Sequence, residues 1–294
     1  MSESSAEQPE IAWQPLTPRG VAAFARSALS RFLLAQFVLA LLSAGTVGWF
    51  VDYTWFPVVT KAIERIPKKG EIRAGWLDWQ GDSPQTLAEN RFLALSVDLR
   101  HEGEARSPAH VQLELGRTDF RILSLLGSLT FPYPRGWTIG FNREDLMPWW
   151  GAWTPAILAA VIIAGIAGLI LGWSALATLY CPLAWLAGFF GNRELSLRRS
   201  WRLASAALMP GALLMSAAIV LYGLGKLDMV QLLAAIAAHF VVGWIYLIVV
   251  PFCAPKPAVT TTLHENPFAN AASMKQKAGD PNGKNGSAKK CSSP

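Results

Sequence analysis

The sequence predicts an α-helical polytopic membrane protein of about four spans carrying a small β-rich extracytoplasmic domain. Three observations lead there. The 294 residues are 52% hydrophobic and 16% charged with a mean hydropathy of +0.30, oilier than an ordinary soluble fold. Apolar runs of about 20 residues, the length that crosses a bilayer core, recur along the chain. The basic residues gather in short segments beside those runs. Three cysteines are too few for a disulfide framework, and the oily runs exclude a chain disordered throughout.

The charge distribution gives the threading. Residues 1–31 balance, with Arg26 and Arg31 close to the first apolar run, and residues 52–150 are nearly neutral. Residues 192–202 carry Arg193, Arg198, Arg199 and Arg202 against Glu194, and residues 255–294 carry six lysines against Glu265 and Asp280. A pI near 9.4 suits nucleic acid only where the basic surface is free to displace counterions from phosphate. Here the excess sits where the positive-inside rule leaves it, so no nucleic-acid partner is expected.

The first span is read at residues 32–51, with Gln36, Ser43 and Thr46 as small polar interruptions and Trp49, Tyr53 and Trp55 as an aromatic belt at its far end. A cleaved signal peptide is the alternative, but the apolar stretch continues past Ala44. Residues 155–173 span next, behind Trp149, Trp150 and Trp153. Residues 174–190, with Thr178, Tyr180, Cys181 and Pro182, are open between a kinked continuation, an interfacial helix and a second crossing. Residues 203–224 and 229–251, separated only by 225–228, form an antiparallel helical hairpin. Parity, with both basic segments and the N-terminus inside, then requires residues 155–190 to cross once, giving four spans and both termini cytoplasmic.

Five segments follow: a cytoplasmic N-terminal segment 1–31, the first transmembrane helix 32–51, an extracytoplasmic β-rich domain 52–150, a transmembrane bundle 151–254 with a cytoplasmic Arg-rich loop 192–202, and a disordered basic tail 255–294. Within 52–150, apolar alternation over 71–79, 91–99 and 111–115 and the apolar stretch 120–125 are strand signals. Trp76, Trp79, Phe92, Phe131, Tyr133 and Trp137 supply a core or an interfacial face, with core the expected fate. So small a domain is expected to lean on the membrane surface or on a partner. It has no cysteine, which accords with an oxidising compartment.

From Ala175 the run ALATLYCPLAWLAGFFGNRELSLRRSWRLASAALMPGALLMSAAIVLYGLG resembles the membrane domain of Yip1-like proteins: a Gly-containing turn at Gly188 and Gly191, a Ser- and Arg-containing stretch over 196–203, and Pro210 early in the next helix. One Gly precedes Asn192 where Yip1-like turns often have two. Upstream, IPKKGEIRAGWLDWQGDSP, FLALSVDLR and VQLELGRTDFRIL are similar to a bacterial Yip1-related group of unknown function with a β-rich insertion after the first span. The resemblance implies a polytopic scaffold or adaptor of the bacterial inner membrane, without known catalytic residues.

Four side chains are singled out. His239 is the one ionisable residue deep in an apolar run, a tentative intramembrane polar site whose plainer reading is helix packing. Arg198, Arg199 and Arg202, flanking Trp201, are tentative contacts for anionic lipid or a partner, and equally a topology signal. Gly168 and Gly172 form a G-x-x-x-G pair of the kind that lets helices approach. Asp78, Asp82, Asp98, Glu102 and Glu104 are expected on a solvated surface, and His101 and His110 lack a third ligand at metal spacing. There is no P-loop, H-E-x-x-H, G-x-S-x-G or dinucleotide fingerprint. A non-enzyme is therefore expected, with no cofactor and no metal; its partners are membrane lipids and other membrane or envelope proteins. The alternatives are a small channel or transporter using His239, Thr178, Gln231 and Ser216, or an envelope sensor with a ligand-binding outer domain.

Overall fold

A computed structural model describes residues 16–24, 26–193 and 195–254; the tail and the first fifteen residues, on which part of the N-terminal reading and the whole disordered-tail reading fall, lie outside them. The described chain is mostly helical with a small β region. Four of its helical stretches are long and apolar enough to cross a membrane: Leu29–Arg65, Arg143–Phe190, Leu197–Gly223 and Met229–Phe252.

After a short α1 (Pro18–Phe24), α2 (Leu29–Phe50) runs into a π-helical turn (Val51–Trp55) and α3 (Phe56–Arg65). Pro57 has no N–H for the carbonyl four residues earlier and its ring crowds that carbonyl, which loosens the turn before it. Residues 52–65, read as part of the β-rich domain, are therefore helical. The sequence pattern missed this because the apolar stripe narrows beyond Trp55 to one face, carrying Val58, Ala62 and Ile63 inward.

Eight strands follow. β1 (Gly70–Arg73), β2 (Trp76–Trp79) and β8 (Thr138–Gly140) form one antiparallel sheet in the order β2-β1-β8. β3 (Gln85–Glu89), β4 (Leu93–Val97), β5 (Val111–Leu115), β6 (Asp119–Ser124) and β7 (Gly127–Pro132) form the second, in sequence order. The four stretches with strand signals contain β1 with β2, β4, β5 and most of β6; β3, β7 and β8 carried no alternation to find. β4 and β5 are parallel and the other pairs antiparallel. A shared core under α3 holds Leu87 and Val97, both fully buried, with Ile63, Leu77 and Tyr133; each such side chain contributes roughly 1.5–3 kcal/mol on burial. The six aromatics divide: Trp79, Phe92 and Tyr133 are buried, whereas Trp76, Phe131 and Trp137 are exposed.

α4 (Arg143–Phe190) is capped by Asn142, whose side chain accepts from the Asp145 N–H at 2.9 Å. It begins eight residues earlier than the bundle was read. It continues unbroken through Pro148, Pro155 and Pro182, so residues 174–190 prolong the same helix, about 72 Å in all at 1.5 Å per residue. α5 (Leu197–Ala207) and α6 (Met209–Gly223) meet at Leu208, with Pro210 in the first turn of α6, where a missing N–H costs nothing. The expected Arg-rich loop is thus shorter than read: Ser196 caps a helix that already contains Arg198, Arg199 and Arg202. α7 (Met229–Phe252) starts on a capping box between Asp228 and Gln231.

Helix contacts are made where side chains are smallest. A Cβ on Gly48 would lie 2.7 Å from Ile162, and one on Gly165 would lie 3.1 Å from Ala44, so α2 and α4 pack through these glycines. Gly168 and Gly172 face open space and make no internal helix contact. The buried polar groups of α2 pair across the bundle: Gln36 Nε2 donates to Ser205 Oγ at 3.0 Å, and Ser216 Oγ donates to Ser43 Oγ at 3.0 Å.

Candidate functional site: the junction of sheet and helices

The strand register determines what faces the helices. β4 and β5 start at the same end because they are parallel, with Leu93 opposite Val111. β6 returns to that end, with Ser124 opposite Val111, and β7 leaves from it, with Gly127 opposite Ser124. One end of the five-stranded sheet therefore presents Arg91, Phe92, His110 and the β6–β7 turn together.

Each of these meets the helical part. The Arg91 guanidinium donates to the carbonyls of Gly225 at 3.3 Å and Leu227 at 3.1 Å, in the link between α6 and α7. The Tyr222 hydroxyl, near the end of α6, bonds His110 Nδ1, and the two rings stack with centroids 5.5 Å apart. Phe92 packs edge-on against Tyr222 and Phe50, with centroids 5.0 and 5.5 Å away. Asn90 Nδ2 donates to the Thr54 carbonyl of the π turn at 2.6 Å, while Asn90 Oδ1 accepts from the Phe92 and Leu93 N–H groups at 2.8 Å.

Burial holds the His110 imidazole below its ordinary value, the Arg91 charge adds to this, and Asp228 opposes it. The Tyr222 hydroxyl also reaches Met229 Sδ at 3.7 Å, so it stands between His110 Nδ1 and the first residue of α7. Beside it opens a cleft of about 610 Å³ between the β6–β7 hairpin and the start of α7, with Arg106, His110, Leu123, Leu125, Met229 and Val230 in its wall. That is the size of a small-ligand site.

Other polar groups of the β region are committed to its own structure. His101, at φ +57°, stands between two carboxylates, Nδ1 at 2.5 Å from Glu114 Oε1 and Nε2 at 2.5 Å from Asp119 Oδ1. Asp98, expected on the surface, is buried. Burial would raise its carboxyl, but N–H groups of Gly103, Glu102, Arg100 and His101 outweigh that and hold it below the usual range. No group of three or more His, Cys, Asp or Glu able to hold a metal occurs among the described residues.

The residues singled out from sequence lie elsewhere. His239 bonds within its own helix, Nδ1 at 3.1 Å from the Ile236 carbonyl, and borders a void of about 30 Å³. Thr178 accepts from Trp201 Nε1 and Gln231 completes the α7 cap, so neither bonds to His239 or to Ser216. Arg198 and Arg199 are exposed on the first turn of α5. Arg202 donates to the Ser27 carbonyl at 3.2 Å and Arg193 to the Ala254 carbonyl at 2.5 Å, just past the end of α7. The sequence offered one usable signal for the junction: Arg91, His110 and Tyr222 are isolated polar tips at the ends of apolar segments, which is where elements meet. No family model, curated protein or solved structure matches the chain.

Proposed function

We propose that this chain is a non-enzymatic multi-pass protein of a bacterial inner membrane, Yip1-like, with both termini cytoplasmic and its β domain outside. It serves as a scaffold, adaptor or assembly factor. The observation that carries this reading is the contact at Arg91 and His110, which joins the sheet to the end of α6 and the α6–α7 link. A partner seated on the sheet bears directly on the α6–α7 hairpin, and a partner among the helices bears on the sheet. The ionisable residues of the β domain support the same reading, since His101, Asp98 and His110 are occupied in holding the fold.

A second reading, an envelope sensor whose outer domain takes a ligand, is favoured by the cleft beside His110. Reporter fusions and crosslinking test both. A periplasm-active reporter inserted at Gln85 is expected to be active, and crosslinking in native membranes followed by mass spectrometry is expected to recover a membrane or envelope protein. Substrate turnover by the purified chain would overturn the non-enzymatic reading. A sensor is expected to lose its response on Arg91→Ala with His110→Ala while a scaffold retains its helix-bound partner.

A further inference from the structure

The β6–β7 hairpin is apolar and uncovered. Between Arg121 and Arg135 it carries no charged residue, yet Leu125, Leu126 and Leu129 are 65%, 82% and 62% exposed. Its turn lies level with His110, because Ser124 pairs with Val111 and His110 is bonded to Tyr222 near the end of α6. Its inner side closes a cleft against Met229 and Val230, the first residues of α7. With α7 in a bilayer, the leucines stand where that helix enters the lipid, in the interfacial zone that apolar turns occupy. The cleft wall has two chemistries. Leu123, Leu125, Met229 and Val230 line it with apolar surface, and Arg106, whose guanidinium is exposed and makes no hydrogen bond or ion pair to a described residue, lines it together with His110.

We propose that this cleft is a lipid site, holding an acyl chain of an anionic phospholipid between the β6–β7 hairpin and the start of α7, with the phosphate at Arg106. The site rests on the membrane threading proposed above. An anionic phospholipid suits it better than a soluble phosphate because the apolar wall is continuous with the face of α7 that lipid would cover, and better than a neutral lipid because Arg106, in the cleft wall, has no ion-pair partner among the described residues.

The test is photolabelling of the full chain in proteoliposomes, using phosphatidylglycerol or phosphatidylcholine with a photoreactive group on the acyl chain, and peptide mapping of the adducts. Expected are adducts at 123–129 and 229–230 that favour phosphatidylglycerol. Arg106→Gln is expected to remove that preference, lowering phosphatidylglycerol labelling about fivefold, the effect of one basic residue at such a surface, and leaving phosphatidylcholine labelling unchanged. Val230→Trp, which fills the cleft, is expected to abolish labelling at 123–129. Equal labelling by both lipids unaffected by Arg106→Gln, or competition by free glycerol phosphate, would each overturn the lipid site. Labelling of the exposed face of α4 at 163–172 reports insertion in every sample. Its absence would sink the membrane threading itself, and its presence without cleft adducts would sink the lipid site alone.

Discussion

His110 stacks on Tyr222 with ring planes 20° apart and shares a hydrogen bond with its hydroxyl, joining the start of β5 to the end of α6 across 112 residues of sequence. Because burial and Arg91 depress the imidazole, the docked chain takes up this proton at lower pH than the unfolded chain does. The contribution of the contact is then fully present above about pH 6.5, the ordinary value, and is lost as the pH falls through the lower folded value. Thermal unfolding of the purified chain in detergent is expected to show wild type more stable than His110→Phe by a constant margin above pH 6.5, narrowing below it. A margin that widens in acid would refute the sign.

Gly48 and Gly168 give a matched pair. Val at position 48 would drive into the Ile162 side chain, forcing α2 and α4 apart at a cost of about 1–3 kcal/mol. Val at position 168 meets nothing within 4 Å of its Cβ, so its effect is confined to the small change in helix propensity. Melting temperatures of the two variants in one detergent check this, with Gly48→Val the lower.

Removing His101 strands two carboxylates. Glu114 is 3% exposed and loses the imidazole nitrogen it is bonded to, and leaving a buried polar group without its partner costs about 1–3 kcal/mol. His101→Ala is therefore expected to destabilise the β domain strongly. Adding Glu114→Gln should recover part of the loss by removing the buried charge, which limited proteolysis of the full chain can measure. A Cβ at Gly116 would collide with the His101 ring, so Gly116→Ala is expected to resemble His101→Ala.

The apolar runs were legible because burial in lipid demands length and composition, which a one-dimensional reading measures directly; the hairpin at 225–228 was legible for the same reason. Strands with two unlike faces, β5 above all, were legible by alternation. β7 was not, because both of its faces are exposed and it has no buried face to imprint a period. Helix α3 was obscured by Pro57 and its charged outer face. The junction was hidden for a different reason: the register that brings His110 to Tyr222 depends on β4 and β5 running parallel, a fact of pairing that no local pattern encodes. The helix that holds Arg198, Arg199 and Arg202 is hidden in the sequence because Gly191 and Asn192 end α4 so clearly that Ser196 does not stand out as a new cap.

His239 and Gly211 separate a working polar site from packing. A Cβ on Gly211 would lie 2.9 Å from the His239 carbonyl oxygen and 3.2 Å from its ring, so α6 and α7 touch through backbone that cannot give way as a side chain can. Gly211→Ala is expected to destabilise the bundle by about 1–3 kcal/mol through overpacking. His239→Leu keeps the volume and removes the bond to the Ile236 carbonyl of its own helix and the ring contact with Phe240, the lost hydrogen bond contributing about 1 kcal/mol. If His239 carried a proton or substrate across the bundle, the order would invert in a flux assay: His239→Leu in proteoliposomes would abolish movement while melting normally. The expected outcome is a near-normal melting temperature for His239→Leu, a lowered one for Gly211→Ala, and no proton flux attributable to His239, because Nδ1 is bonded within its own helix and the adjoining void is only about 30 Å³.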